Sequence, residues 1–151
     1  MKIGIISDTH GLLRERAKEV LAGVEHILHA GDICDDAILD QLALIAPVTA
    51  VRGNCDFSKH YAKLPKFELL TLAGTQIYLH HGNDEALKFV PAGTQIVVQG
   101  HSHIPKTEIR DGVLFINPGS AGPRRFSLPI TLAILEILPN QKFQVNIVSI
   151  D

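Results

Sequence analysis

The chain has 151 residues, 46% of them hydrophobic and 20% charged, which suits one globular domain with a real core and excludes extended disorder. A formal net charge of −2 excludes a general basic field for nucleic acid or an anionic membrane. Two cysteines, Cys34 and Cys55, provide no disulfide framework and read as reduced thiols in the cytoplasm. The opening apolar run is too short for a signal segment, and no run approaches the roughly 18 residues of a membrane span.

Residues 2–7 read as a buried strand, with Ile3, Ile5 and Ile6 around Gly4. Residues 12–21 carry Leu13, Ala17, Val20 and Leu21 at helical spacing, and Gly23 can stop the helix. Residues 26–30 form a second strand, cut by Gly31-Asp32. Asp35 and Asp36 favour a helix start, and residues 38–45 continue it to Pro47. Residues 48–51 are a third strand, cut by Gly53-Asn54. This β-α-β-α-β order predicts a parallel sheet with right-handed crossovers.

In the second half, residues 67–72 and 76–80 flank the turn Ala73-Gly74-Thr75. A short helix is expected over residues 85–90 and a strand over 95–99. Residues 106–110 and 113–117 flank Asp111-Gly112, a strong hairpin signal. Residues 130–138 and 142–150 read as a final antiparallel hairpin. The expected architecture is a parallel sheet followed by an antiparallel one, stacked face to face with helices outside, in one domain spanning residues 1–151.

Polar residues cluster where these strands end. Asp8 and His10 follow the first strand, Asp32 the second and Asn54 the third. His80 and His81 end a later strand, and His101 and His103 follow the next. Parallel α/β sheets bind ligands at the carboxyl ends of their strands, so these residues are expected to converge on one edge. Carboxylate, amide and imidazole ligands together suit Mn²⁺, Fe²⁺, Zn²⁺ or Ni²⁺. The set is too large for one tetrahedral site and fits two ions sharing a carboxylate. Taken singly, each element also reads as turn chemistry. Gly-Asp and Gly-Asn are common turn dipeptides, and Asp-x-His also serves as a helix cap. The combination carries the argument.

Asp8-Thr9-His10, Gly31-Asp32, Gly53-Asn54-Cys55-Asp56, His81-Gly82 and Gly100-His101-Ser102-His103 resemble the calcineurin-like metallophosphoesterase signature, in order. Asn117-Pro118-Gly119-Ser120 resembles the small, single-domain prokaryotic phosphodiesterase (YfcE-like) branch. The resemblance covers roughly residues 3–120. It implies an α/β fold: a four-layer α/β/β/α sandwich of two stacked mixed sheets with a binuclear centre. Asp8, His10 and His103 would then complete one metal site, and Asn54, His81 and His101 the other, with Asp32 bridging. Manganese is the preferred pair of ions. His81 matches the family position because Gly82 follows it, and His80 is expected to point to the other face.

The implied activity is phosphodiester hydrolysis, by in-line attack of a hydroxide held between the ions, with Asp32, Asn54 and His81 as the catalytic residues. The expected partner is a small phosphate ester. Nucleic acid is expected only as a small nucleotide ester, no membrane is expected, and homo-oligomerisation is open. A metal-binding scaffold of the same fold, as in a eukaryotic retromer subunit, is the alternative. Cys55 and Asn83 stand where many superfamily members carry histidine, which weakens leaving-group protonation. Asp56 is expected to orient a ligand histidine. The loop holding Arg124 and Arg125 reads as solvated, with a phosphate contact as the second reading.

Overall fold

The computed structural model describes residues 1–57, 63–82 and 89–151. Strand β1 (Lys2–Ile6) turns Ile3 and Ile5 to one face and Ile6 to the other, and all three are fully buried. A Cβ on Gly4 would run into the Leu21 side chain, so this glycine lets helix α1 (Glu15–Leu21) lie close against the strand. The helix begins later than its apolar spacing suggests. The amides of His10 and Gly11 donate to the Asp32 and Ile33 carbonyls, which holds the preceding segment as a loop.

Strand β2 (His26–His29) pairs parallel to β1 and to β3 (Val48–Ala50). Between them lies helix α2 (Asp36–Ala43). The Asp35 carboxylate caps it by accepting from the Ala37 amide at 2.9 Å, a contact typically worth about 1 kcal/mol.

Strands β4 (Phe67–Leu72) and β5 (Thr75–His80) form a hairpin whose two-residue turn, Ala73-Gly74, has φ of 46° and 74°. Two left-handed residues match the twist of the flanking strands. Strand β6 (Ile96–Val98) is fully buried. Strands β7 (Lys106–Arg110) and β8 (Val113–Asn117) are joined by Asp111-Gly112, as the dipeptide predicts. Strands β9 (Thr131–Ile137) and β10 (Phe143–Ser149) close the chain.

The strands form two five-stranded mixed sheets, ordered β10-β9-β1-β2-β3 and β4-β5-β6-β8-β7. The expectation of one parallel and one antiparallel sheet is therefore corrected. The final hairpin joins the first sheet, with β9 antiparallel to β1, and the second sheet has a parallel interior of β5, β6 and β8. The reason lies in β9. It buries Leu132 on the helix side and Ala133, Leu135 and Ile137 on the other, as an interior strand must. Helices α1 and α2 pack on one face of the first sheet, and its other face packs on the second sheet. The α/β sandwich of stacked mixed sheets is thus in place. The helix expected over residues 85–90 falls mostly outside the described residues. No described helix is long and apolar enough to cross a membrane.

Candidate metal centre

Strands β1, β2 and β3 run in one direction, and so do β5 and β6. Their carboxyl ends deliver Asp8, Asp32, Asn54, His81, His101 and His103 to one edge shared by both sheets. Two contacts seal that edge. The His101 amide donates to Asp8 Oδ2 at 3.0 Å, and Gly100 lies so close to Ser7 that a Cβ there would collide with the hydroxyl.

Two clusters result. In the first, Asp8 Oδ1 lies 3.2 Å from His103 Nε2 and 3.7 Å from His10 Nε2, and the two imidazole nitrogens are 3.4 Å apart. In the second, Asn54 Oδ1 lies 2.9 Å from His81 Nε2 and 3.1 Å from His101 Nδ1, and those nitrogens are 3.3 Å apart. Asp32 Oδ2 stands between the clusters, 3.6 Å from His10 Nε2 and 3.3 Å from His81 Nε2. Ligand atoms at 2.0–2.2 Å from one ion sit roughly 2.8–3.6 Å apart, which is close to this spacing.

The unpaired atoms also fit a cation. Asp8 Oδ2 is satisfied by the Ser7 hydroxyl at 2.6 Å and the His101 amide, whereas buried Asp8 Oδ1 has no hydrogen-bond partner among the described residues. Asp32 Oδ1 accepts from the Cys55 amide at 2.9 Å, which leaves Oδ2 facing the histidines. His81 Nδ1 donates to the Ala30 carbonyl at 2.8 Å, so in the neutral ring the Nε2 lone pair points at the Asn54 oxygen. Two lone pairs that close require positive charge between them.

Titration follows the same field. Burial alone would raise the Asp8 carboxyl, but the close His10 and His103 rings and the Ser7 hydroxyl hold it far below the usual range. Asp32 is lowered too: burial raises it, and the His81 and Cys55 contacts outweigh that. His81 is raised, because Asp32 and Asp8 overcome the burial that would lower it. Cys55 is raised by burial and by Asp32, so it stays a thiol and is a poor acid. Burial and carboxylate neighbours push Cys34 up to about 12.

Five of the seven candidate ligands have left-handed backbones: Asp8, His10, Asp32, His101 and His103, with φ between 44° and 69°. Each such non-glycine residue costs about 1–3 kcal/mol, and such strain concentrates at functional sites.

The supporting contacts differ from expectation in one place. Among the described residues, Asp56 bonds to no histidine. Its buried carboxylate accepts from the amides of Ile33, Cys34 and Gly53 at 2.9–3.2 Å, stapling the Asp32 loop to the Asn54 loop. A Cβ on Gly53 would fall on the Asp32 carboxylate, so the close approach requires glycine. The Asn117 amide donates to the Gly100 carbonyl and the Ser102 hydroxyl, and the Ser120 hydroxyl donates to the Asp8 carbonyl. The Asn-Pro-Gly-Ser element therefore braces two of the ligand loops. Arg124 is engaged with Asp151 and the Leu128 carbonyl, which favours its reading as a surface-loop residue. Asn83 lies outside the described residues. His80 is buried away from the clusters beside Tyr78, with no partner for either ring nitrogen among the described residues.

Sequence reading missed His29. Its Nδ1 accepts from the Gly31 amide at 3.1 Å, so Nε2 carries the proton and donates to Thr9 Oγ1, which donates to the Ile33 carbonyl. An imidazole in a fully buried strand was the available signal. Burial pushes both His29 and His80 down to about 4. In the unfolded chain they protonate near 6.5, so stability is lost as pH falls from about 6.5 towards 4. Each is expected to withdraw about 2 kcal/mol by pH 5. His81, shifted upward, acts in the opposite sense, so the test is a difference. Urea unfolding of metal-free wild type and His80→Phe at pH 7 and pH 5 should show the smaller loss in the variant. Equal losses would refute the assignment.

The sequence and the fold both recur in known proteins. A probable metallophosphoesterase of Methanocaldococcus jannaschii is 32% identical over 100% of this chain and 82% of its own. The phosphodiesterase YfcE of Escherichia coli is 28% identical over 90% of this chain and 88% of its own. In fold, the chain is similar to Entamoeba histolytica Vps29 complexed with zinc, with TM-score 0.74, 23% identity and full coverage of both chains. Residues 1–140 match the calcineurin-like phosphoesterase superfamily domain, and the chain belongs to that superfamily.

Proposed function

We propose that the chain is a binuclear metal-dependent phosphodiesterase acting on small phosphodiesters. The observation that carries this is the place of Asp32 Oδ2, within 3.6 Å of a histidine nitrogen in each cluster. Asp8, His10 and His103 would hold one ion, Asn54, His81 and His101 the second, and Asp32 both. Two divalent ions, manganese before iron, zinc or nickel, would supply Lewis acidity and lower the pKa of bound water. The residues do the rest. Asp8 and Asp32 stay ionised, so they offer anionic oxygens at any physiological pH. The Ala30 carbonyl fixes His81 as an acceptor on its inner nitrogen. Exposed Asn54 and His101 open the second cluster to an incoming ester, and Asn54 can stabilise charge on its phosphoryl oxygens. The thiol of Cys55 offers little acid catalysis, which favours diesters with good leaving groups.

The relative named a phosphodiesterase supports this reading, and the neighbour of similar fold is itself complexed with zinc. Metal binding alone therefore does not separate enzyme from scaffold. Metal analysis of the purified chain is expected to find two ions, and manganese is expected to support turnover of bis-p-nitrophenyl phosphate. Two bound ions with no turnover on any ester would favour the scaffold.

A further inference from the structure

We propose that this site takes a phosphate ester carrying a second phosphate, which Arg52 and Lys66 hold beside the Asn54 cluster. The inference rests on the phosphodiesterase reading for its first phosphate only. A cavity of about 210 Å³ opens next to the second cluster, lined by Arg52, Gly53, Asn54, Lys66, His81 and His101. At about 30 Å³ per water that is roughly seven waters, more than one phosphoryl group fills. Arg52 follows β3 and Lys66 precedes β4, the edge strands of the two sheets. The Arg52 amide donates to the Pro65 carbonyl at 2.9 Å, which fixes the two segments side by side.

The charge on this wall is unbalanced. Among the described residues the cavity lining carries two cations and no carboxylate, and Asp8 and Asp32 are buried and committed to the clusters. Neither Arg52 nor Lys66 has an ion-pair partner among the described residues. A guanidinium fork beside an ammonium suits a phosphate. With a net charge of −2, the chain has no overall basic field to track a nucleic-acid backbone, so the ligand is a small molecule such as a nucleoside bisphosphate.

The test is equilibrium binding of thymidine 5′-phosphate and thymidine 3′,5′-bisphosphate to the full, manganese-loaded chain at low salt. Wild type is expected to bind the bisphosphate about tenfold more tightly. Lys66→Gln should reduce that ratio, and Arg52→Gln with Lys66→Gln should bring it to about one. Manganese-induced thermal stabilisation checks that the variants fold and load. Equal affinities in wild type, a ratio that survives both substitutions, or no binding of either nucleotide would each overturn the proposal. A parallel loss for both ligands, with the ratio intact, would place the cations on the first phosphate and overturn it too. Failure of the phosphodiesterase reading looks different: thymidine 5′-p-nitrophenyl phosphate is not turned over while the bisphosphate preference persists.

Discussion

Asp32→Ala is expected to remove metal-dependent stabilisation and turnover together, without unfolding the metal-free chain. The side chain contributes one hydrogen bond to the fold, from the Cys55 amide, and its second oxygen only faces His10 and His81. Relief of repulsion with Asp8 offsets part of the lost Cys55 and His81 contacts, so the apo protein should be somewhat weakened but stay folded. With metal the loss is larger. An ion at a hundred times its dissociation constant stabilises a fold by about 2.7 kcal/mol, and on the proposed reading Asp32 would serve both clusters. The wild type should therefore show a manganese-dependent rise in melting temperature that the variant lacks. Loss of a residue that merely supports a ligand typically costs 10–100-fold, so loss of the shared ligand should lower kcat/KM by about 10³-fold or more. His103→Ala gives the contrast, because it touches only the first cluster and should leave one ion bound. If Asp32→Ala retained two ions per chain, Asp32 would not be the shared ligand.

The convergence of Asp8, Asp32, Asn54, His81, His101 and His103 was legible in the sequence because each follows a strand, and parallel strands present the same end to one edge. His81 was separable from His80 because Gly82 follows it, as in the family motif, and alternation then sends His80 to the other face. Other features depend on contacts made only after folding. The left-handed backbone at Asp8, His10 and Asp32 is only weakly written in residue type, since aspartate and histidine enter that region more readily than most residues yet adopt many conformations. The sheet that receives the final hairpin was misread because hairpin formation is local. Its docking depends on the apolar residues of β9, which are buried on both sides. His29 was passed over as a strand residue because its value lies in two loops, at Thr9 and Gly31, that its own strand does not contain.

Asp56 is the residue where sequence and structure diverge most in meaning, and its removal should have the largest effect on the fold. The sequence offers it as an acid next to a ligand. The structure makes it the acceptor for three backbone amides from two loops, those of Ile33, Cys34 and Gly53. Asp56→Ala would leave these donors without partners at a site that is 2% exposed. Each orphaned buried donor costs about 1–3 kcal/mol, so even with partial access of water the total should reach about 3–5 kcal/mol. For a chain of this size, that corresponds to a fall in melting temperature of about 10 °C or more in metal-free protein. Asp56→Asn keeps one carbonyl oxygen but turns an NH₂ group towards amide donors, so about half the loss should remain. The functional consequence follows from what the carboxylate joins. Asp32 and Asn54 ride on the two stapled loops, so releasing them should weaken metal affinity, most of all at the second cluster. Asp32→Ala and Asp56→Ala thus separate two roles. The first should abolish metal binding in a chain that stays folded without metal. The second should lower apo stability first and metal affinity as its result. An Asp56→Ala chain as stable as wild type, measured by urea unfolding without metal, would show that the two loops hold their positions without it.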